Sequence, residues 1–134
     1  YAASDIMLGM GSSALKSMAF AKPLIVQGER AFWKLAEPDT AGLFLHQGWY
    51  GLGDGGDGSK LVESILEDLI KSPERWKELG TFGRDLVTTR FSLEAVAKQQ
   101  EGIYRDALRR RPGLVQRLSG VARATARYFM LSAR

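Results

Sequence analysis

The 134-residue sequence predicts an α/β fold, with part of a parallel sheet followed by a helical carboxyl-terminal region. Three observations carry this. A short apolar run, Ile6-Met7-Leu8, meets a Gly-x-Gly turn at Gly9 and Gly11 and enters a helix-like segment. A second apolar run, Leu24-Ile25-Val26, follows Pro23. From Ser59 onward the apolar residues recur at helical spacing. Strand, loop, helix, strand implies a right-handed crossover between parallel strands. The glycine loop then lies at the carboxyl end of the first strand, where open α/β sheets place ligands.

The later elements follow in order. After Val26 the chain passes through Gln27-Gly28-Glu29 into a short helix expected over Arg30 to Ala36, closed by Glu37-Pro38-Asp39. Leu43-Phe44-Leu45 is short enough for a strand or part of a loop. Between Gln47 and Ser59 stand Gly48, Gly51, Gly53, Gly55, Gly56 and Gly58, with Trp49 and Tyr50 among them. Such a loop is expected to be mobile unless a ligand or another domain orders it. A helix capped by Ser59 carries Leu61, Val62, Ile65, Leu66, Leu69 and Ile70 on one face. Ser72-Pro73-Glu74 breaks and restarts it, because proline is tolerated at a first helical position. The second helix turns Trp76, Leu79, Phe82, Leu86 and Val87 inward. A third starts at the Ser92 cap, runs through Ala95, Val96, Ile103 and Tyr104 to about Arg110, and ends at Pro112-Gly113.

Composition sets limits on function. With 45% apolar and 25% charged residues the chain is ordinary globular protein. The absence of cysteine removes disulfides and thiolate metal sites and fits a cytoplasmic location. No apolar run is long enough to span a bilayer, and the first residues lack the pattern of a signal peptide. Net charge is +4, and the excess sits at one end, since Arg109 to Arg134 contains no acidic residue. An anionic surface is the implied partner of that tail. Nucleic acid is not expected, because no reading motif or aromatic platform accompanies the arginines.

The chemistry concentrates at Gly9-Met10-Gly11-Ser12-Ser13. A helix starting behind a glycine turn directs unpaired N–H groups and its dipole outward, which suits an anion, most naturally a phosphate; a tight turn without ligand is the structural alternative. His46, the sole histidine, has no cysteine or carboxylate cluster near it, so neither a metal site nor a catalytic triad is expected. Asp54-Gly55-Gly56-Asp57-Gly58 has too few ligands for a calcium loop and reads as a flexible turn.

The same stretch, with Ser4-Asp5, Ala14-Leu15, Ser17-Met18-Ala19 and Lys22-Pro23-Leu24-Ile25-Val26, resembles the donor-binding carboxyl-terminal domain of retaining glycosyltransferases with two facing Rossmann-like domains, the family of glycogen and sucrose synthases. Gly28-Glu29, Phe32-Trp33, Phe44-Leu45 and Gln47-Gly48-Trp49-Tyr50-Gly51 are similar to a bacterial subgroup. Leu79-Gly80, Phe82-Gly83-Arg84 and Arg90-Phe91-Ser92-Leu93-Glu94 resemble the family's closing helices. The resemblance covers about residues 1–108 and implies a partial nucleotide-sugar-binding domain with a Rossmann-like sheet there; residues 109–134 read, from their own pattern, as a basic amphipathic helix. The resemblance also implies transfer of a sugar from a nucleotide-activated donor to an acceptor hydroxyl, without metal or resident organic cofactor. Gly9, Met10, Gly11, Ser12 and Ser13 would hold the donor diphosphate. At 134 residues, beginning at Tyr1, the chain reads as part of a larger protein whose acceptor domain lies upstream.

The family's two glutamates, eight positions apart, align with Leu8 and Lys16. Lysine cannot accept hydrogen bonds from ribose hydroxyls as a carboxylate does, but it can neutralise phosphate. Lys16 is thus a donor contact or a surface residue, and the catalytic residues are not identified. Glu29 is a carboxylate left near the site, a sugar contact or a solvated loop residue. Trp49 and Tyr50 stack on a sugar or pack against another domain. A degenerate, non-catalytic binding module and a nucleotide-sugar epimerase on the same scaffold remain as alternatives. From Leu114 onward, Leu118, Val121, Ala122, Thr125 and Phe129 share a face opposite Arg123, Arg127 and Arg134. That pattern suits either an anionic membrane surface, placing the protein peripherally at its inner face, or docking on the upstream domain.

Overall fold

The computed structural model describes residues 1–110, 113, 119–120, 122–125 and 127–128. Contacts divide the chain into two units, Tyr1–Ala95 and Val96–Arg134. Within the first lie β1 (Met7–Gly9), α1 (Gly11–Ala19), β2 (Leu24–Gln27), β3 (Trp33–Leu35), α2 (Pro38–Gln47), α3 (Gly58–Lys71) and α4 (Glu74–Phe91). The next helix is α5 (Leu93–Arg109).

The described strands form one sheet in the order β1-β2-β3. β1 and β2 are parallel, with Met7 opposite Leu24 and Gly9 opposite Val26. β3 is antiparallel to β2, with Gln27 opposite Trp33 and Ile25 opposite Leu35. The strand, glycine turn, helix and strand expected over residues 6–26 are present, but the sheet is small and mixed rather than parallel throughout. Leu24, Ile25 and Val26 are all buried because both faces of β2 are covered. Leu24 and Val26 join Ala14 and Met18 of α1, Phe44 of α2 and Trp49. Ile25 joins Leu69 of α3 and Leu79 of α4.

No helix forms over 30–36. Glu29 C=O accepts from Phe32 N–H at 3.2 Å, and Arg30 and Ala31 between them have φ of 52° and 63°. Two successive positive φ values make a type I′ turn, whose twist lays the following strand back along β2. Trp33 and Leu35 then pack on the Ile25 side, while Lys34 is exposed. Pro38, read as the end of a helix, instead stands at the start of α2, so Leu43-Phe44-Leu45 is helical. The Thr40 hydroxyl accepts from Glu37 N–H at 3.0 Å and donates to Leu35 C=O at 2.7 Å. Gly48, at φ 78°, ends α2 with its N–H on Phe44 C=O at 2.9 Å.

The glycine-rich segment is tied down by the chain's own backbone. Trp49 C=O accepts from Gly11 N–H at 2.8 Å and Gly51 C=O from Glu29 N–H at 3.0 Å. Gly53 N–H reaches Glu29 C=O at 2.9 Å, and Gly55 N–H reaches Arg30 C=O at 3.0 Å. A Cβ on Gly28 would run into the Gly51 carbonyl, and one on Gly51 into the Phe32 ring. Residues 49–55 therefore form a strap across the β2–β3 turn.

Asp57, rather than Ser59, caps α3. Its carboxylate accepts from the Ser59 hydroxyl and N–H and from Lys60 N–H, contacts that hold its pKa below the usual range. This capping contribution is present at neutral pH and is lost as pH falls through the lowered pKa. The break at Ser72-Pro73 appears as expected, and the Trp76 indole N–H closes the end of α3 on Leu69 C=O at 2.7 Å. α4 spans both cores: Trp76 and Leu79 belong to the Ile25 side, Leu86 and Val87 to the α1 side. Gly80 permits the crossing, since a Cβ there would meet the Ala21 carbonyl. Ser92 Oγ accepts from Ala95 N–H at 3.2 Å, capping α5 as read from the sequence.

Of the expected basic tail, Leu114, Leu118, Val121 and Phe129 of the apolar face and Arg134 opposite it lie outside the described residues, as does Pro112 at the expected helix end; Arg123 and Arg127 are exposed. Among the described residues, no helix is long and apolar enough to cross a membrane.

Candidate functional site

Three segments meet at the carboxyl ends of β1 and β2: the Gly9–Ser13 turn, the Gly28–Ala31 turn, and the strap beginning at Trp49. Gly11 opens α1 at φ 55°, a left-handed conformation that glycine adopts without penalty, and nothing lies within 4 Å of where its Cβ would be. Gly9 is needed for a close approach, because a Cβ there would stand 2.9 Å from Ser13 Oγ. That hydroxyl accepts from Met10 N–H at 3.1 Å and donates to Met10 C=O at 2.7 Å.

The expected row of outward N–H groups is thus largely satisfied internally. Met10 N–H is on Ser13 Oγ, Gly11 N–H on Trp49 C=O, and Ser13 N–H on Met10 C=O at 3.2 Å. Ser12, exposed, has neither N–H nor hydroxyl engaged by another described residue. Lys16 is also exposed and follows Ser12 by four positions, which puts both on one face of α1. Helical side chains lean toward the amino terminus, so the ammonium can approach the Ser12 turn. The first turn of α1 contains no acidic residue. Leu8 is 43% exposed on β1, so neither position aligned with a family glutamate presents a carboxylate.

Across the strap, Trp49 and Tyr50 have separate roles. Trp49 is a core residue, 2% exposed and stacked on Phe44 at 5.4 Å between ring centroids. Its buried indole N–H has no partner among the described residues. Tyr50 is half-buried and Glu29 is exposed. Burial first, then the nearby Glu29 carboxylate, raise the Tyr50 phenol's pKa above the ordinary value. Arg30, Ala31 and Trp49, three of the four described non-glycine residues with positive φ, belong to these segments. Retained backbone strain of this kind clusters at ligand sites.

Other candidates are weaker. No group of three metal-ligating side chains occurs among the described residues. His46 is exposed in the last turn of α2. Asp54 accepts from Gly56 N–H at 2.9 Å and Asp57 caps α3, so this pair has local structural work. A hollow of about 330 Å³ beside β3 is lined in part by Lys34, Glu37, Asp68 and Arg75. Glu37 and Arg75 already pair with each other at 3.3 Å.

Sequence reasoning singled out the Gly9–Ser13 turn, Lys16 and Glu29, but did not join Tyr50 to Glu29, 21 positions away. Gly28, Gly51 and Gly53 were the available signal, since glycines in two separated segments mark a close backbone crossing. Comparison with protein-family models, with curated proteins and with solved structures found no match to this chain.

Proposed function

We propose that this chain is the donor-binding part of a glycosyltransferase, and that the first turn of α1 holds the diphosphate of a nucleotide-sugar. The observation that carries the reading is the open, acid-free turn at Gly11 and Ser12, at the carboxyl end of a parallel strand pair with Lys16 on the same helix face. Ser12 N–H, its hydroxyl, the helix dipole and the Lys16 ammonium would offset the charge that builds on the diphosphate as the glycosidic bond breaks. The outer edge of β1, unpaired among the described residues, is where further strands of a Rossmann-like sheet would add. In this reading the acceptor domain belongs to the same protein, which works in the cytoplasm with its basic tail toward an anionic membrane surface.

A second reading, a non-catalytic binding module, is favoured by Leu8 and Lys16, which leave the site without the family's carboxylates. Both readings expect anion binding at Ser12; turnover of a nucleotide-sugar separates them.

Calorimetric titration of the intact protein with UDP, GDP and ADP tests the site. Asparagine tolerates left-handed φ and would place its side chain in the open space above Gly11, so Gly11→Asn should weaken the nucleotide that binds by about tenfold or more with the fold retained. Lys16→Glu should weaken it several-fold by setting a carboxylate beside the phosphate. Unchanged affinity in both variants would remove the diphosphate site.

A further inference from the structure

We propose that the outer edge of β3 is an interaction surface that takes an extended segment of a partner protein as an added strand, with an acidic residue of that segment opposite Lys34 and an apolar residue on either side of it. This surface goes beyond the donor-binding reading and does not depend on it.

The edge follows from the register. Gly28 N–H donates to Phe32 C=O and Ala36 N–H to Leu24 C=O, and between these pairs Val26 lies opposite Lys34. Opposed residues in an antiparallel ladder alternate between bonded and non-bonded pairs, so Lys34 turns its own N–H and C=O to β2. Trp33 and Leu35 turn theirs to the other edge. No strand lies beyond β3 among the described residues. The Thr40 hydroxyl takes Leu35 C=O at 2.7 Å, whereas Trp33 N–H and C=O and Leu35 N–H have no partner among the described residues. Three free main-chain groups in a row are the template for strand addition.

A groove runs beside this edge. Two hollows of about 330 and 300 Å³ both touch Trp33, Lys34 and Leu61, so they adjoin along β3. The strand edge forms one wall, and α3 supplies Leu61, 44% exposed, and half-buried Ile65 to the other. Trp33 and Leu35 pack on the Ile25 side of the sheet, and alternation puts the Lys34 side chain on the opposite side. A segment paired with β3 repeats that alternation. Its residue opposite Lys34 shares the lysine's face, while the residues before and after it lie on the face of Trp33 and Leu35, toward Leu61 and Ile65.

Charge selects the occupant. Lys34 is exposed and makes no ion pair among the described residues. Opposite charges directly across a sheet attract and like charges repel, which favours an acidic residue there. The same rule disfavours a second copy, because antiparallel pairing of two β3 edges through Trp33 and Leu35 would set Lys34 against Lys34. Of the other charged groups lining the larger hollow, Glu37 and Arg75 pair with each other at 3.3 Å, and Asp68 stands on α3 rather than on the strand edge.

NMR titration of the intact protein with the capped peptide Thr-Val-Glu-Val-Thr tests the surface. The peptide should bind and shift the Trp33 and Leu35 amides more than that of Lys34, which is already bonded to β2. Exchanging the peptide's glutamate for lysine should weaken binding about fivefold, and Lys34→Glu should reverse the order of the two peptides. N-methylating the three central peptide amides should abolish binding, since it removes the donors to the strand edge. Leu61→Glu, at an exposed position of α3, should also abolish it with the fold retained. No binding of the glutamate peptide to wild type, equal affinity for the glutamate and lysine peptides, or unimpaired binding of the N-methylated one would each overturn the proposal. A protein that sediments as a dimer, with Leu61→Glu dissociating it, would assign the edge to a second copy and overturn it equally.

Discussion

Phe44→Ala should lower the unfolding free energy of the intact protein by about 3–5 kcal/mol, the range for deleting a buried aromatic ring. Phe44 is fully buried, stacks on Trp49 and meets Phe32 edge-on at 6.4 Å, so it joins α2 to both the strap and the β2–β3 turn. The cavity would loosen Trp49, whose carbonyl holds Gly11. Phe44→Leu, which keeps most of the volume, should cost less than half as much. Urea denaturation of the two variants decides this; a Phe44→Ala loss below about 1 kcal/mol would mean that the ring is not part of a close-packed core.

Gly28→Ala should destabilise by about 2–3 kcal/mol, although it adds a single methyl group. Its Cβ would meet the Gly51 carbonyl, backbone that cannot rotate away, and relief would require lifting the strap and losing the Glu29–Gly51 and Gly53–Glu29 hydrogen bonds. The control is Gly42→Ala, inside α2 with nothing within 4 Å of its Cβ, which should be stabilising by about 0.5–1 kcal/mol through helix propensity. Opposite signs for the two substitutions in thermal unfolding would establish the strap; equal effects would contradict it.

What could be read from the sequence depended on how local its cause was. β1, α1 and β2 were legible because an apolar run, a glycine turn and helical spacing are all local signals, and the breaks at Ser72-Pro73 and Ser92 were legible as caps. β3 was not. It is three residues long and follows a type I′ turn made of Arg30 and Ala31, neither of which announces a positive φ in the way Asn-Gly does. Pro38 was misread because proline suits the first position of a helix as well as the end of one. The strap's order arises from hydrogen bonds between residues up to 38 apart in sequence, which composition reads only as glycine-rich and mobile. The same distinction divides the site. Gly9, Gly11 and Ser12 lie within one motif, whereas the capture of Gly11 N–H by Trp49 and the approach of Tyr50 to Glu29 depend on tertiary structure.

The account turns on whether an anion seats at the start of α1. Amide hydrogen exchange of the intact protein, with and without saturating UDP, GDP or ADP, reads this directly, because Ser12 N–H has no partner among the described residues. The account predicts slowed exchange over Gly11–Lys16 with the nucleotide that binds, together with smaller protection at Gly28–Ala31 and the strap. Bound nucleotide that leaves Gly11–Lys16 unchanged and protects other segments, such as those around Glu37 and Arg75, would contradict it.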